Sequence, residues 1–146
     1  MPLTVRPFDR SLLLVYCSAV WSLITLLLLS VGPVYGEWVS LGEDQEGMTT
    51  YIDPATIRRK GNLVKMWILF DFRTTQTVLG TSYLSDKALD EYDCAEERRR
   101  TLAFTNFSGN MGSGRVVHRD TDEEKWEPVD PESIGLILWK LACGKK

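Results

Sequence analysis

The sequence is short of the residues on which most chemistry depends. Among 146 residues there is one histidine, His118, and there are three cysteines, Cys17, Cys94 and Cys143. A single imidazole leaves a Ser-His-Asp arrangement only one base to use, and no serine stands in a nucleophile-elbow motif. Structural zinc is disfavoured for a related reason: Cys94 and Cys143 lie far apart, with one histidine to join them. An excess of one charge is also missing, since 17 Lys and Arg against 20 Asp and Glu give a formal net charge of −3. That balance is too mixed for a nucleic-acid binder and too mild for a disordered acidic tail. No period repeats along the chain, and 44% hydrophobic residues suit one domain with a modest core.

Two apparent ligand loops lack a needed residue. Gly109-Asn110-Met111-Gly112-Ser113-Gly114 has no following Lys-Ser/Thr and leads toward the strand-like Val116-Val117-His118, so it reads as a turn rather than a phosphate cradle. Asp120-Thr121-Asp122-Glu123-Glu124 has carboxylates enough for calcium but no glycine at the turn position and no distant bidentate acid in register. It reads as a solvated loop. Asn106-Phe107-Ser108 matches a glycosylation acceptor, which matters only in a eukaryotic secretory pathway.

What is present begins with an address. Residues 1–10 carry Arg6 and Arg10 against Asp9, and an apolar run from Ser11 to Ser30 follows. That is the layout of an export signal, and Val34 and Gly36 set up cleavage before Glu37. The competing reading of residues 1–36 is an uncleaved N-terminal membrane anchor, because the run approaches the ~20 apolar residues that span a bilayer. A lipid anchor is not expected, since Cys17 follows Val15 and Tyr16 near the start of the run instead of closing it. Either reading puts residues 37–146 outside the cytoplasm, in the periplasm, at the cell surface or in the medium. Cleavage would leave 15 basic and 19 acidic residues, which alters nothing above. An even pair of cysteines in an exported domain suggests a disulfide.

Within the domain, Glu37–Leu41 and Met48–Asp53 read as strands, with Gly42–Gly47 between them and Pro54 stopping the second. Asp53–Ile57 reads as a tight turn into a basic hairpin tip, Arg58–Asn62. Leu63–Phe72 is the strongest strand: Val64, Met66, Ile68, Phe70 and Phe72 make one face apolar while the other is mixed, as in an antiparallel sheet covered on one side. Thr74–Gly80 reads as a polar connection. Residues 85–100 stay open between a helix, favoured by propensity, and strand, favoured by the alternation that follows through Leu102, Phe104 and Asn106. The C-terminus predicts a helix capped by Asp130, with Pro131 at its first position, Ile134, Ile137, Leu138 and Leu141 on its buried face, and Gly144 as its stop.

Tyr51-Ile52-Asp53 with Ile57, Asp93-Cys94, Gly112-Ser113-Gly114 before Val116-Val117, Trp126 before Pro131-Glu132-Ser133-Ile134, and Ala142-Cys143 come in an order that resembles the surface-adhesin protein E family. The resemblance covers residues 38–143. It implies an α+β fold: a small curved antiparallel sheet of about six strands, with a C-terminal helix packed on one face and tied by a Cys94–Cys143 disulfide. On that view residues 87–107 are mostly strand. It also implies an exported, non-enzymatic binding module, a surface adhesin for extracellular-matrix or serum proteins. The alternative is a periplasmic or envelope protein holding a small ligand such as haem, for which His118 or Met111 would be the axial ligand. No other cofactor and no metal is expected. Arg98 and Arg100, with Arg58 and Arg59, are the candidate ligand-binding residues. As strand residues, Arg98 and Arg100 would share a face and Arg99 would point away, and such arginines are also expected to pair with Glu96, Glu97 or the acidic loop.

Overall fold

A computed structural model describes residues 37–145. The expected signal segment, its cleavage point and Cys17 lie outside the described residues. The domain is an open antiparallel sheet built in chain order: β1 Val39–Glu43, β2 Met48–Ile52, β3 Arg58–Lys60, β4 Leu63–Val78, β5 Thr81–Asp93, β6 Arg98–Phe107, β7 Val116–Asp120 and β8 Glu127–Pro128. A helix, α1 (Ile134–Cys143), follows. The spatial order is β1-β2-β4-β5-β6-β7, six strands as expected, with β3 added beside β4 and β8 beside β6.

β4 and β5 are the spine. Val64, Met66 and Ile68 point to one face and pack with Ile52, Tyr92, Leu138, Trp139 and Ala142 into the core beneath α1. Lys65 and Trp67 alternate to the other face. The strand does not end at Phe72: Thr74, Thr75, Thr77 and Val78 are β-branched, and β4 runs on through them. The expected connection over 74–80 therefore shrinks to Leu79-Gly80, both at positive φ. Arg58-Arg59-Lys60 pairs with Lys65, Val64 and Leu63, so the basic tip is strand and only Gly61-Asn62 turns.

Residues 85–100 resolve into the end of β5, a turn and the start of β6. Local helix propensity loses because β5 is paired on both sides, with β4 and with β6. Charge fixes the β5–β6 register: Asp93 stands opposite Arg98 and Glu91 opposite Arg100.

The helix differs from its sequence reading in start and face. Asp130 accepts from the Glu132 amide through Oδ1 at 3.1 Å and from the Ser133 amide through its carbonyl at 3.3 Å, closing a turn before the helix. Ser133 is then the N-cap residue, and the helix starts at Ile134. Its buried residues are Gly135, Leu138, Trp139 and Ala142, whereas Ile137 and Leu141 are 50% and 42% exposed. Trp139 decides the rotation, because its indole N–H donates to the Asp93 carbonyl at 3.0 Å inside the core. Gly135 permits the approach: a Cβ there would meet Arg99 Nε at 3.4 Å and Ser133 Oγ at 3.0 Å. Gly144 ends the helix at φ 65°, and Cys143 is bonded to Cys94 with Cα atoms 5.6 Å apart.

Candidate functional site

Alternation along β3, β4 and β6 places Arg58, Lys60, Lys65, Arg98 and Arg100 on the face turned away from α1. Arg58, Arg59, Lys60, Leu63, Lys65 and Glu91 line an open hollow of about 300 Å³ there. Among the described residues neither Arg58 nor Lys60 has a carboxylate partner. The Arg58 guanidinium is instead held by carbonyls, donating through Nη1 to Ala55 at 2.7 Å and Ile57 at 3.0 Å. Its charge stays unneutralised while its position is fixed. Lys65 is 49% exposed and lies 3.7 Å from Glu91.

Farther along the same face, Arg98 and Arg100 both cover Trp126, with guanidinium carbons 4.9 and 4.7 Å from the ring centroid. Arg100 pairs with Glu91 at 2.6 Å and with Glu123 of the acidic loop at 2.8 Å. Arg98 makes two hydrogen bonds to Asp93 Oδ2, through Nε at 3.1 Å and Nη2 at 3.0 Å. Burial pushes the Asp93 carboxyl up, but the Arg98 bonds and the Ala95 and Glu96 amides outweigh it and hold it below the usual range. The arginine partners are thus mainly β5 carboxylates and Glu123, not Glu96 or Glu97.

Arg99 points to the helix side, as the alternation requires, and pairs with Asp90 at 3.3 Å. Arg59 also turns to that side and donates through Nη2 to the Ala142 carbonyl at 3.0 Å, clasping the end of α1. Of the four candidate ligand-binding arginines, Arg58, Arg98 and Arg100 share one face, while Arg59 borders the hollow and turns its guanidinium to the end of the helix. Lys60 belongs to the basic run read from the sequence, whereas sequence reasoning missed Lys65 and Trp126 as members of that face. The signal was available for Lys65, which sits on the mixed side of the Leu63–Phe72 alternation.

His118 stands on the helix side, opposite Asn106, with its ring 5.6 Å from that of Phe104. Met111 lies in a 3-10 turn held on the other side, where its amide donates to Asp71 Oδ1 at 2.6 Å and the Gly112 amide to Ser85 Oγ at 2.9 Å. The two alternative haem ligands therefore stand on opposite faces of the sheet. Asn106, the conditional glycosylation acceptor, is 3% exposed in β6 and is inaccessible to a glycan.

No curated protein sequence matches the chain. Among solved structures, crystal form II of Haemophilus influenzae protein E is similar at a TM-score of 0.60 and 13% identity, over 76% of this chain and 90% of that one. Protein E from non-typeable Haemophilus influenzae is similar at 0.56 and 12%, over 76% and 78%. These likenesses show a shared fold. The family model for surface-adhesin protein E matches residues 38–144, from the residue before β1 to the glycine that ends α1, and the chain belongs to that family.

Proposed function

We propose that this protein is an exported, non-enzymatic binding module, a surface adhesin whose basic face docks an acidic stretch of an extracellular-matrix or serum protein. Family membership supports the adhesin class. The observation that carries the choice of face is the hollow between β3 and β4, where Arg58 and Lys60 keep their charge free of any carboxylate among the described residues. Trp126, gripped by Arg98 and Arg100, extends the same surface with an aromatic edge. Positive charge steers an acidic partner and sets its orientation, and the aromatic supplies contact area.

The test is binding of the purified oxidised protein to immobilised extracellular-matrix and serum proteins, with Arg58→Glu/Lys60→Glu beside it. The expected result is saturable binding that weakens with salt and falls at least about tenfold in the double variant, the scale of losing two interfacial charge pairs. Undiminished binding by the variant would remove the face, and no binding to any panel member, or a domain shielded from protease in intact cells, would remove the adhesin reading.

A further inference from the structure

On the helix side, beyond the cover of α1, one row of side chains crosses four strands: Phe70, Asp86, Asn106 and His118 stand opposite one another in successive registers. Beside it opens a cavity of about 230 Å³, with Phe70, Ala88 and Phe104 as apolar wall and Asp86, Asp90 and Glu124 as anionic lining. Arg99 and Thr101 complete it, and both donate to Asp90, Arg99 through Nη1 at 3.3 Å and Thr101 through Oγ1 at 3.0 Å. Three carboxylates thus face one guanidinium.

Two acceptors in this row have no donor. Asp86 Oδ1 and Asn106 Oδ1 are both buried and unpaired, and Asn106 as a whole is only 3% exposed. Buried acceptors without partners are rare in native folds because each forfeits its hydrogen bond to water. Neither Asp86 nor Glu124 has a basic partner among the described residues. The place asks for a group with several N–H donors, a positive charge and an apolar stem.

We propose that the cavity receives an alkylammonium, the end of a lysine side chain of a protein partner, with its nitrogen at the Asp86 and Glu124 carboxylates and its methylenes against Phe70 and Phe104. An ammonium carries three donors and no acceptor, which matches two carboxylates without a basic partner, Asp86 and Glu124, beside the Asp90 carboxylate. Its stem buries against apolar surface while the charge is neutralised. A divalent cation fits less well. Calcium takes six to eight oxygens, half of this lining is apolar or cationic, and among the described residues no three His, Cys, Asp or Glu side chains are placed to hold a metal. One anionic pole beside an apolar wall suits a group charged at one end only.

The experiment is an amide NMR titration of the oxidised protein with acetyl-Gly-Lys-Gly-amide, its norleucine counterpart, 1,5-diaminopentane and calcium chloride. Saturable shifts at Asp86, Phe104 and Asn106 are expected from the lysine peptide at millimolar concentrations, with norleucine silent. Asp86→Asn and the surface change Glu124→Gln should each weaken the response, Asp86→Asn by at least tenfold. An equal response to norleucine would show an apolar hollow only. A response to the diamine or to calcium without one to the lysine peptide would replace the protein partner by a free amine or a metal ion. Silence throughout would mean that the Asn106 amide, turned over, itself donates to Asp86, and the proposal would fall. None of these outcomes touches the basic face, whose test uses Arg58 and Lys60.

Discussion

Asp86 makes the stability of this domain depend on pH in the sense opposite to most carboxylates. Burial first, and the neighbouring Asp90 carboxylate second, raise its carboxyl from 3.8 to about 6, against a smaller pull downward from the Thr105 amide. The folded state therefore binds the proton more tightly than the unfolded chain. The resulting stabilisation is fully present below pH 3.8 and is lost as pH rises through about 6. A shift of that size corresponds to roughly 2–3 kcal/mol. Burial raises Asp90 in the same sense, while Asp93, held low by Arg98, acts only in the acid range below its ordinary value. Asp86→Asn should accordingly raise the urea midpoint at pH 7 by an amount equivalent to about 2 kcal/mol, with little change at pH 4. An unaltered slope of midpoint against pH would show that Asp86 titrates normally. The sequence offered no warning of this: an Asp in an undecided segment looks solvated until strand pairing puts it beside Phe70 and Asn106.

At the scale of the element, the strands were the legible part and the helix face was not. Alternation in Leu63–Phe72 located the helix side of β4 correctly, because a period of two leaves only two faces to choose between, although Leu69 on the other face is fully buried as well. The ten residues of α1, IGLILWKLAC, are apolar nearly all round, so any of several faces could have been the inner one. Trp139 and the tether at Cys143 choose among them, and both act through partners some fifty residues away in the chain, at Asp93 and Cys94. The positions of Trp139 and Leu141 give a direct comparison. Trp139→Ala removes a buried ring and leaves the Asp93 carbonyl without its donor, at a cost of about 3–5 kcal/mol. Leu141→Ser, on the exposed side, should cost less than about 1 kcal/mol. Chemical denaturation of the two variants checks the assignment, and a reversed order would restore the face first read from spacing.

For the molecule as a whole, the clasp at one end of α1 decides whether there are two layers or one. Four contacts converge there: the Cys94–Cys143 bond, the Trp139 indole on the Asp93 carbonyl, Arg59 on the Ala142 carbonyl and Lys145 Nζ on the Cys94 carbonyl at 3.3 Å. All fall at the β5–β6 turn or on β3, so releasing the covalent member loosens the whole group. The bond spans 49 residues, and closing such a loop in the unfolded chain is worth about 4 kcal/mol. In a domain of this size that corresponds to a melting temperature lower by roughly 15–25 °C. Cys94→Ser/Cys143→Ser, or the native protein in reductant, should show that fall and become open to protease at α1 first, because without the helix Val64, Met66, Ile68 and Tyr92 lose their cover. Equal melting temperatures for oxidised and reduced protein would show that packing alone docks the helix. The size of the expected loss is also an argument about compartment: a thin sheet whose second layer depends on a disulfide keeps both layers only where thiols are oxidised, which is what an export signal on residues 1–36 would provide.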